Sequence, residues 1–189
     1  MTSQVASSIT NTEPDSIATG KTDRKGKPWE ISTDGITYMT TWESGIYNGK
    51  WKKHTVTEGM ILEVYLDSRG IPTVGCGHKV LQIENLKTGD KISLDTARRL
   101  FRADLEDVEK QVNKKIKVPL YQHEYDALVD IAFNAGAYAG LNGIAEQINK
   151  GDYSKMPQFI KKYRTGGGNE KRRNSEAQLF ESGIYSANH

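Results

Sequence analysis

The sequence predicts an α+β fold, a small β-hairpin lobe joined to a mainly helical lobe with a cleft between them. Over residues 60–66, MILEVYL mixes β-branched and aromatic residues in a way that fits a strand better than a helix. DSRG then turns the chain, and residues 71–74 return it. From Leu94 onward the period changes: Leu94, Ala97, Leu100, Phe101, Leu105, Val108 and Val112 follow the spacing of one helical face. With 189 residues and 36% hydrophobic content, the chain can hold one compact domain with a core of its own.

Taken in order, residues 1–34 are rich in Ser, Thr, Asn, Asp, Gly and Lys without a periodic apolar pattern, so they read as a polar linker or tail. Residues 35–189 read as the domain. GITYMTTWESG fits a short helix or a strand around Ile36, Met39 and Trp42, and IYNGKWKKHT reads as an irregular loop carrying Trp51. In the hairpin, Gly70 allows positive φ at the turn, while Gly75 and Gly77 mark a bulge or a close approach to the backbone. The long helix starts after Ser93, an N-cap followed by Asp95 in the first turn, and Pro119 blocks its simple continuation. YQHEYDALVDIAFNAG is apolar over most of its circumference, as a central buried helix should be, and Gly136 stops it. Shorter helices follow near 142–150, 156–163 and 170–182.

Composition excludes several classes. Lys and Arg number 26 against 24 Asp and Glu, a net charge of +2 that does not predict nucleic-acid binding. Cys76 is the single cysteine and the histidines number four, so neither an intrachain disulfide nor a metal site is expected, and no cofactor is implied. Cys76 itself reads as a small buried filler. No window approaches the roughly 18 consecutive apolar residues of a membrane span, and the first residues lack a secretory signal's basic and apolar regions. The expectation is therefore synthesis in the cytoplasm without a signal peptide, and no membrane insertion.

Glu58, Asp67 and Thr73 are the candidate chemistry. Closure of the hairpin brings Asp67 and Thr73 together, and Glu58 precedes the first strand. Two carboxylates across a groove are what glycosidic cleavage needs: a protonated acid for the leaving oxygen and an ionised partner for water or the oxocarbenium-like state. A Thr73 hydroxyl could hold that water. The bland readings stand beside this: Asp67 in DSRG is a good turn-former on spacing alone, Glu58 a solvated acid and Thr73 a strand residue. His78 reads as a general base or, more commonly, as a histidine held by a carboxylate or carbonyl.

EGMILEVYLDSRGIPTVGCGH resembles the active-site segment of phage-type (T4-like) lysozymes, glycoside hydrolase family 24, whose pattern is Glu, eight residues, Asp, five residues, Thr, and a Gly-x-Gly-His close. SLDTARRLFRADLEDVE, VPLYQHEYDALVDIAFNAG, INKGDY and KRRNSEAQLF extend the resemblance over roughly residues 56 to 185. It implies a lysozyme-like fold and a muramidase that cleaves the β-1,4 bond between N-acetylmuramic acid and N-acetylglucosamine in peptidoglycan. It implies Glu58 as general acid, Asp67 as the carboxylate orienting water, Thr73 as its partner, and Asn134 as a polar group lining the cleft. Arg172 or Arg173 takes the place of an arginine that pairs with the catalytic glutamate, His78 that of a structural histidine, and Asp104 that of its carboxylate partner. The chain departs from the pattern at TTWESGIYNGKWKKHTVTEG, where residues 43–57 read as an insertion whose Trp51 or Tyr47 joins the cleft rim or a partner surface, and where Glu43 is a second candidate for the acid.

The expected partners are the glycan strands of peptidoglycan, acted on by a monomer in the periplasm or cell wall of a target bacterium. Two settings fit, a phage endolysin or the toxin domain of a secreted antibacterial effector. The polar first 35 residues favour the effector, whose producer would need an immunity protein. The rival from another class is a domain that binds peptidoglycan without cutting it, which would have no need of all three of Glu58, Asp67 and Thr73.

Overall fold

The computed structural model describes residues 24, 26 and 29–187. Most of the polar segment 1–34 therefore lies outside the described residues. Its last part does not: Trp29 and Ile31 are each 2% exposed. Trp29 packs its ring 5.7 Å from that of Tyr125 and exchanges hydrogen bonds with the Asn113 side chain. The packed chain thus begins at Trp29, several residues before the expected boundary at 34/35, because two apolar side chains separated by one residue suffice to anchor an otherwise polar strand end.

The chain divides into two compact units, Ile36–Leu105 and the segments on either side of it. Helix α1, Thr33–Ser44, settles the helix-or-strand ambiguity in favour of a helix. Its β-branched residues are poor helix formers, but Ser32 caps it by accepting the Gly35 amide at 2.9 Å, and Ile36, Tyr38, Met39 and Trp42 are buried.

The unit Ile36–Leu105 holds an antiparallel sheet in sequential order: β1 Gly49–Trp51, β2 His54–Thr57, β3 Met60–Leu66, β4 Pro72–Gly75 and β5 His78–Lys79. The expected hairpin is β3–β4, with Tyr65 opposite Thr73. The expected loop over IYNGKWKKHT is instead a second hairpin, β1–β2, with Gly49 opposite Val56 and Trp51 opposite His54. A register irregularity between Ile61 and Tyr65 marks the bulge foreseen near the glycines. Helix α2, Leu94–Lys115, starts where Ser93 accepts the Thr96 amide at 3.1 Å, and its Ala97, Phe101, Leu105 and Val112 are buried as the spacing predicts.

In the other unit, α3 spans Gln122–Ala135, α4 Asn142–Ile148, α5 Met156–Lys162 and α6 Glu170–Ser182. Helix α6 packs on α3 and α5. Tyr125, Leu128, Val129, Ile131 and Ala132 of α3 are wholly buried, so α3 is the central helix its composition announced. Among the described residues no helix is long and apolar enough to cross a membrane.

Candidate active site

Glu58 stands in a two-residue turn. Strands β2 and β3 pair through Thr57 and Met60, which leaves Glu58 and Gly59 as the whole connection. Their φ angles are 48° and 78°, the sign pattern of a type I′ hairpin turn, where Asn-Gly is the favoured pair. A glutamate here gives up conformational ease, and strained positions of this kind gather at functional sites. The turn is tied to its surroundings on three sides: Thr40 Oγ1 donates to the Glu58 carbonyl at 2.9 Å, the Glu58 amide donates to Asn48 Oδ1 at 2.9 Å, and the Gly59 amide donates to the Tyr47 carbonyl at 2.8 Å. Gly59 has no substitute, since a Cβ there would meet the Thr40 carbonyl carbon at 2.4 Å.

The Glu58 carboxylate receives Arg98 Nη2 at 2.5 Å and the Thr37 hydroxyl at 3.4 Å. The arginine expected to pair with it was Arg172 or Arg173. Those two instead sit in a buried network of the helical unit. Arg172 donates to Asp130 at 3.1 and 2.5 Å, Arg173 donates to Glu176 at 2.5 and 2.6 Å, and Arg173 also reaches Asn134 Oδ1 at 2.7 Å. Two acids and two arginines balance, the arrangement that makes buried charge tolerable. Burial, with Asp130 close by, pushes Glu176 well above the ordinary carboxylate range. Arg98 lies one helical turn into α2, a position with no motif around it, and only the fold reveals its pairing.

Asp67 opens the DSRG turn and closes it. Its Oδ1 accepts the amides of Arg69 at 2.8 Å and Ile71 at 2.9 Å, and its Oδ2 accepts Lys79 Nζ at 2.6 Å. The hydrogen bond from Lys79, then that from the Ile71 amide, outweigh partial burial and pull the Asp67 pKa down to about 2. The group is an ionised carboxylate at every physiological pH. Thr73 is 1% exposed. Its hydroxyl donates to the Ile71 carbonyl at 2.9 Å and accepts from Lys79 Nζ at 3.2 Å. Lys79, opposite Thr73 in the β4–β5 register, therefore joins the two predicted residues through one ammonium. The sequence offered a signal for it, since Lys79 follows His78 directly on the return strand, but nothing there tied it to Asp67.

His78 is held at both nitrogens, Nδ1 by Asp104 at 2.9 Å and Nε2 by Glu84 at 3.0 Å. Burial opposes its charged form, yet the two carboxylates prevail and raise its pKa above the ordinary value. A ring committed on both edges is a structural tie, so the expected Asp104 partnership is present and a second carboxylate joins it.

Within the same unit a cavity of about 270 Å³ is walled by Glu43, Trp51, Gly59, Tyr65, Cys76 and Gly77, among others. Glu43, one residue before the C-terminus of α1, is exposed into it. Cys76 is half-buried on this wall, not the buried filler its size suggested. Its neighbours Gly75 and Gly77 have φ of 66° and 83°, so the strand end bends away and leaves the space open.

Comparison with known proteins matches residues 55–176 to the family described as Phage lysozyme. The chain is 38% identical over 99 residues to the endolysin of Salmonella phage P22, an alignment covering 51% of this chain and 67% of that protein. It is 37% identical over 135 residues to the endolysin of Acyrthosiphon pisum secondary endosymbiont phage 1, covering 66% of this chain and 90% of that one. The solved endolysin from Escherichia coli O157:H7 phage FAHEc1 superposes with a TM-score of 0.61 at 29% identity, over 85% of this chain and 99% of that chain.

Proposed function

The chain belongs to the phage lysozyme family and is a peptidoglycan hydrolase of the lysozyme type, and from that premise we propose how its own residues perform the cleavage. The bond cut is the β-1,4 link between N-acetylmuramic acid and N-acetylglucosamine. Asp67, held ionised by Lys79 and two backbone amides, orients water or faces the positive charge that develops at the anomeric carbon. Thr73, fixed by the Ile71 carbonyl and Lys79, assists it. Glu58 donates the proton to the leaving oxygen, as its spacing to Asp67 and Thr73 implies. Asn134 and Arg172 contact the glycan. The observation that carries this reading is the Asp67–Lys79–Thr73 cluster, because it keeps one carboxylate charged and fixed in place, which a binding module does not require.

A specific observation favours a second reading of the acid. Glu43 lines the cavity with Tyr65, Cys76 and Gly77, whereas the Glu58 carboxylate is engaged by Arg98, a contact that favours its ionised form over the protonated form an acid must start from. In this reading Glu43 is the proton donor and Glu58 positions α2 against the turn. The experiment is muropeptide release from purified Gram-negative peptidoglycan by wild type, Glu58→Gln, Glu43→Gln and Asp67→Asn. Loss of reducing muramic ends in Glu58→Gln alone among the glutamates supports the first reading, loss in Glu43→Gln alone the second. Release by all three variants at the wild-type rate would sink both.

The protein acts at the bacterial cell wall. For the finer setting, the effector reading expects periplasmic expression to lyse cells unless a protective partner is supplied. Harmless periplasmic expression of active protein without any partner would exclude it.

A further inference from the structure

Two cavities lie along the sheet of the Ile36–Leu105 unit and share two walls, Trp51 and Tyr65. The first is the cavity of about 270 Å³ that holds Glu43 and Gly77. The second, about 360 Å³, is bounded by Lys52, Lys53, His54 and Asp67 beside the shared aromatics. Trp51, His54 and Tyr65 form one aromatic cluster: the Trp51 and His54 rings stack with centroids 6.2 Å apart, Tyr65 lies 5.9 Å from Trp51 and 4.9 Å from His54. None of the three is fully buried. Lys52 Nζ stands 4.4 Å from the centre of the Trp51 ring, and its backbone has φ of 53°, an uncommon conformation for a non-glycine residue.

We infer that the β1–β2 hairpin carries an additional glycan subsite, with Trp51 and Tyr65 as a platform on which an N-acetylhexosamine of the peptidoglycan strand stacks. The inference rests on the hydrolase reading and deepens it. A pyranose ring presents one face of C–H groups, and a half-exposed aromatic ring offers a flat apolar surface at low conformational cost. The platform joins the cavity of Glu43 to that of Asp67, so a strand seated on it passes both carboxylates. Lys52 and Lys53 place positive charge where the acidic peptide stems of peptidoglycan would project. The family match begins at residue 55, after the whole of β1 and the turn that carries Lys52 and Lys53. The subsite is thus a property of this chain's insertion and not of the matched segment.

The test uses the full chain carrying both Glu43→Gln and Glu58→Gln, which removes either candidate acid and leaves the platform intact. The ¹⁵N-labelled protein is titrated with soluble muropeptide tetrasaccharides from purified Gram-negative peptidoglycan. The expected result is a shift of the Trp51 indole N–H together with the Gly77 amide, and a roughly 10-fold weaker Kd when Trp51→Ala is added, with Trp51→Phe recovering most of the affinity. If the Gly77 amide shifts while the Trp51 indole stays, or if Trp51→Ala folds and binds like its parent, the subsite is overturned. If neither signal moves, the hydrolase reading itself fails and takes the subsite with it.

Discussion

Lys79 Nζ sits 2.6 Å from Asp67 Oδ2, and the same ammonium reaches the Thr73 hydroxyl at 3.2 Å. The pair converts a turn-forming aspartate into a permanently charged one. Removing the ammonium as Lys79→Met should let the Asp67 pKa climb from about 2 toward its ordinary value of about 4. The acid limb of the pH–activity profile should move up by about two pH units with it. Carbon-13 titration of the Asp67 carboxyl in both proteins checks this, and an unmoved pKa would mean the backbone amides alone hold the charge. The sign for stability follows: a depressed carboxylate stabilises the fold above its unfolded pKa, and that contribution is lost as pH falls through about 2.

His78 titrates in the opposite sense. Its raised pKa means that its pairing with Asp104 and Glu84 stabilises the fold fully below the ordinary histidine pKa of about 6.5 and is lost as pH rises through the higher folded value. Wild type should therefore lose thermal stability from pH 6 to pH 9 more steeply than His78→Asn. At pH 6 the variant should be less stable by about 1–3 kcal/mol, the usual effect of leaving buried hydrogen-bonding groups without partners. Parallel slopes in the two proteins would show that some other group sets the pH dependence.

The turn at Glu58 predicts a trade between stability and activity. Asn is the favoured residue at that position of a type I′ turn, and a non-glycine residue at positive φ carries about 1–3 kcal/mol of strain. The exposed Arg98 pair returns at most about 1 kcal/mol. Glu58→Asn should then raise the melting temperature by a few degrees while abolishing muropeptide release if Glu58 is the acid. Gly59→Ala should do the reverse, costing well over 3 kcal/mol, since its Cβ would enter the Thr40 carbonyl. Calorimetry on the two variants decides both.

In the helical unit, Asp130→Ala should cost about 3–5 kcal/mol, because it leaves Arg172 in a buried site without its bidentate carboxylate. Urea denaturation measures the loss. A change below about 1 kcal/mol would mean that Glu176, 3.6 Å from Arg172 Nε, takes over the pairing.

Much of this was legible in the chain itself. The strand at 60–66, the turn at Asp67 and the long helix after Ser93 all declare themselves through local pattern, because period and turn chemistry are properties of neighbouring residues. What stayed hidden depends on partners distant in sequence. The β1–β2 hairpin has no apolar alternation and turns at two lysines, so its strands exist only by pairing with β3 at Val56 and Ile61. Arg98 and Lys79 are ordinary surface cations until register and helix packing bring them to Glu58 and Asp67. The spacing that singles out Glu58 could not reveal that Glu43 lines a cavity, since nothing local distinguishes a cavity wall from any other helix end.

The hydrogen bond from the Gly59 amide to the Tyr47 carbonyl, 2.8 Å long, brings the two ends of the 47–59 excursion into contact. A segment that leaves and re-enters a fold at one point can be lengthened, shortened or exchanged without shifting the strand that follows it. The hairpin is in that sense a graft, and its tip is where this lysozyme's lineage could alter which walls it prefers while the carboxylate chemistry beneath stays untouched.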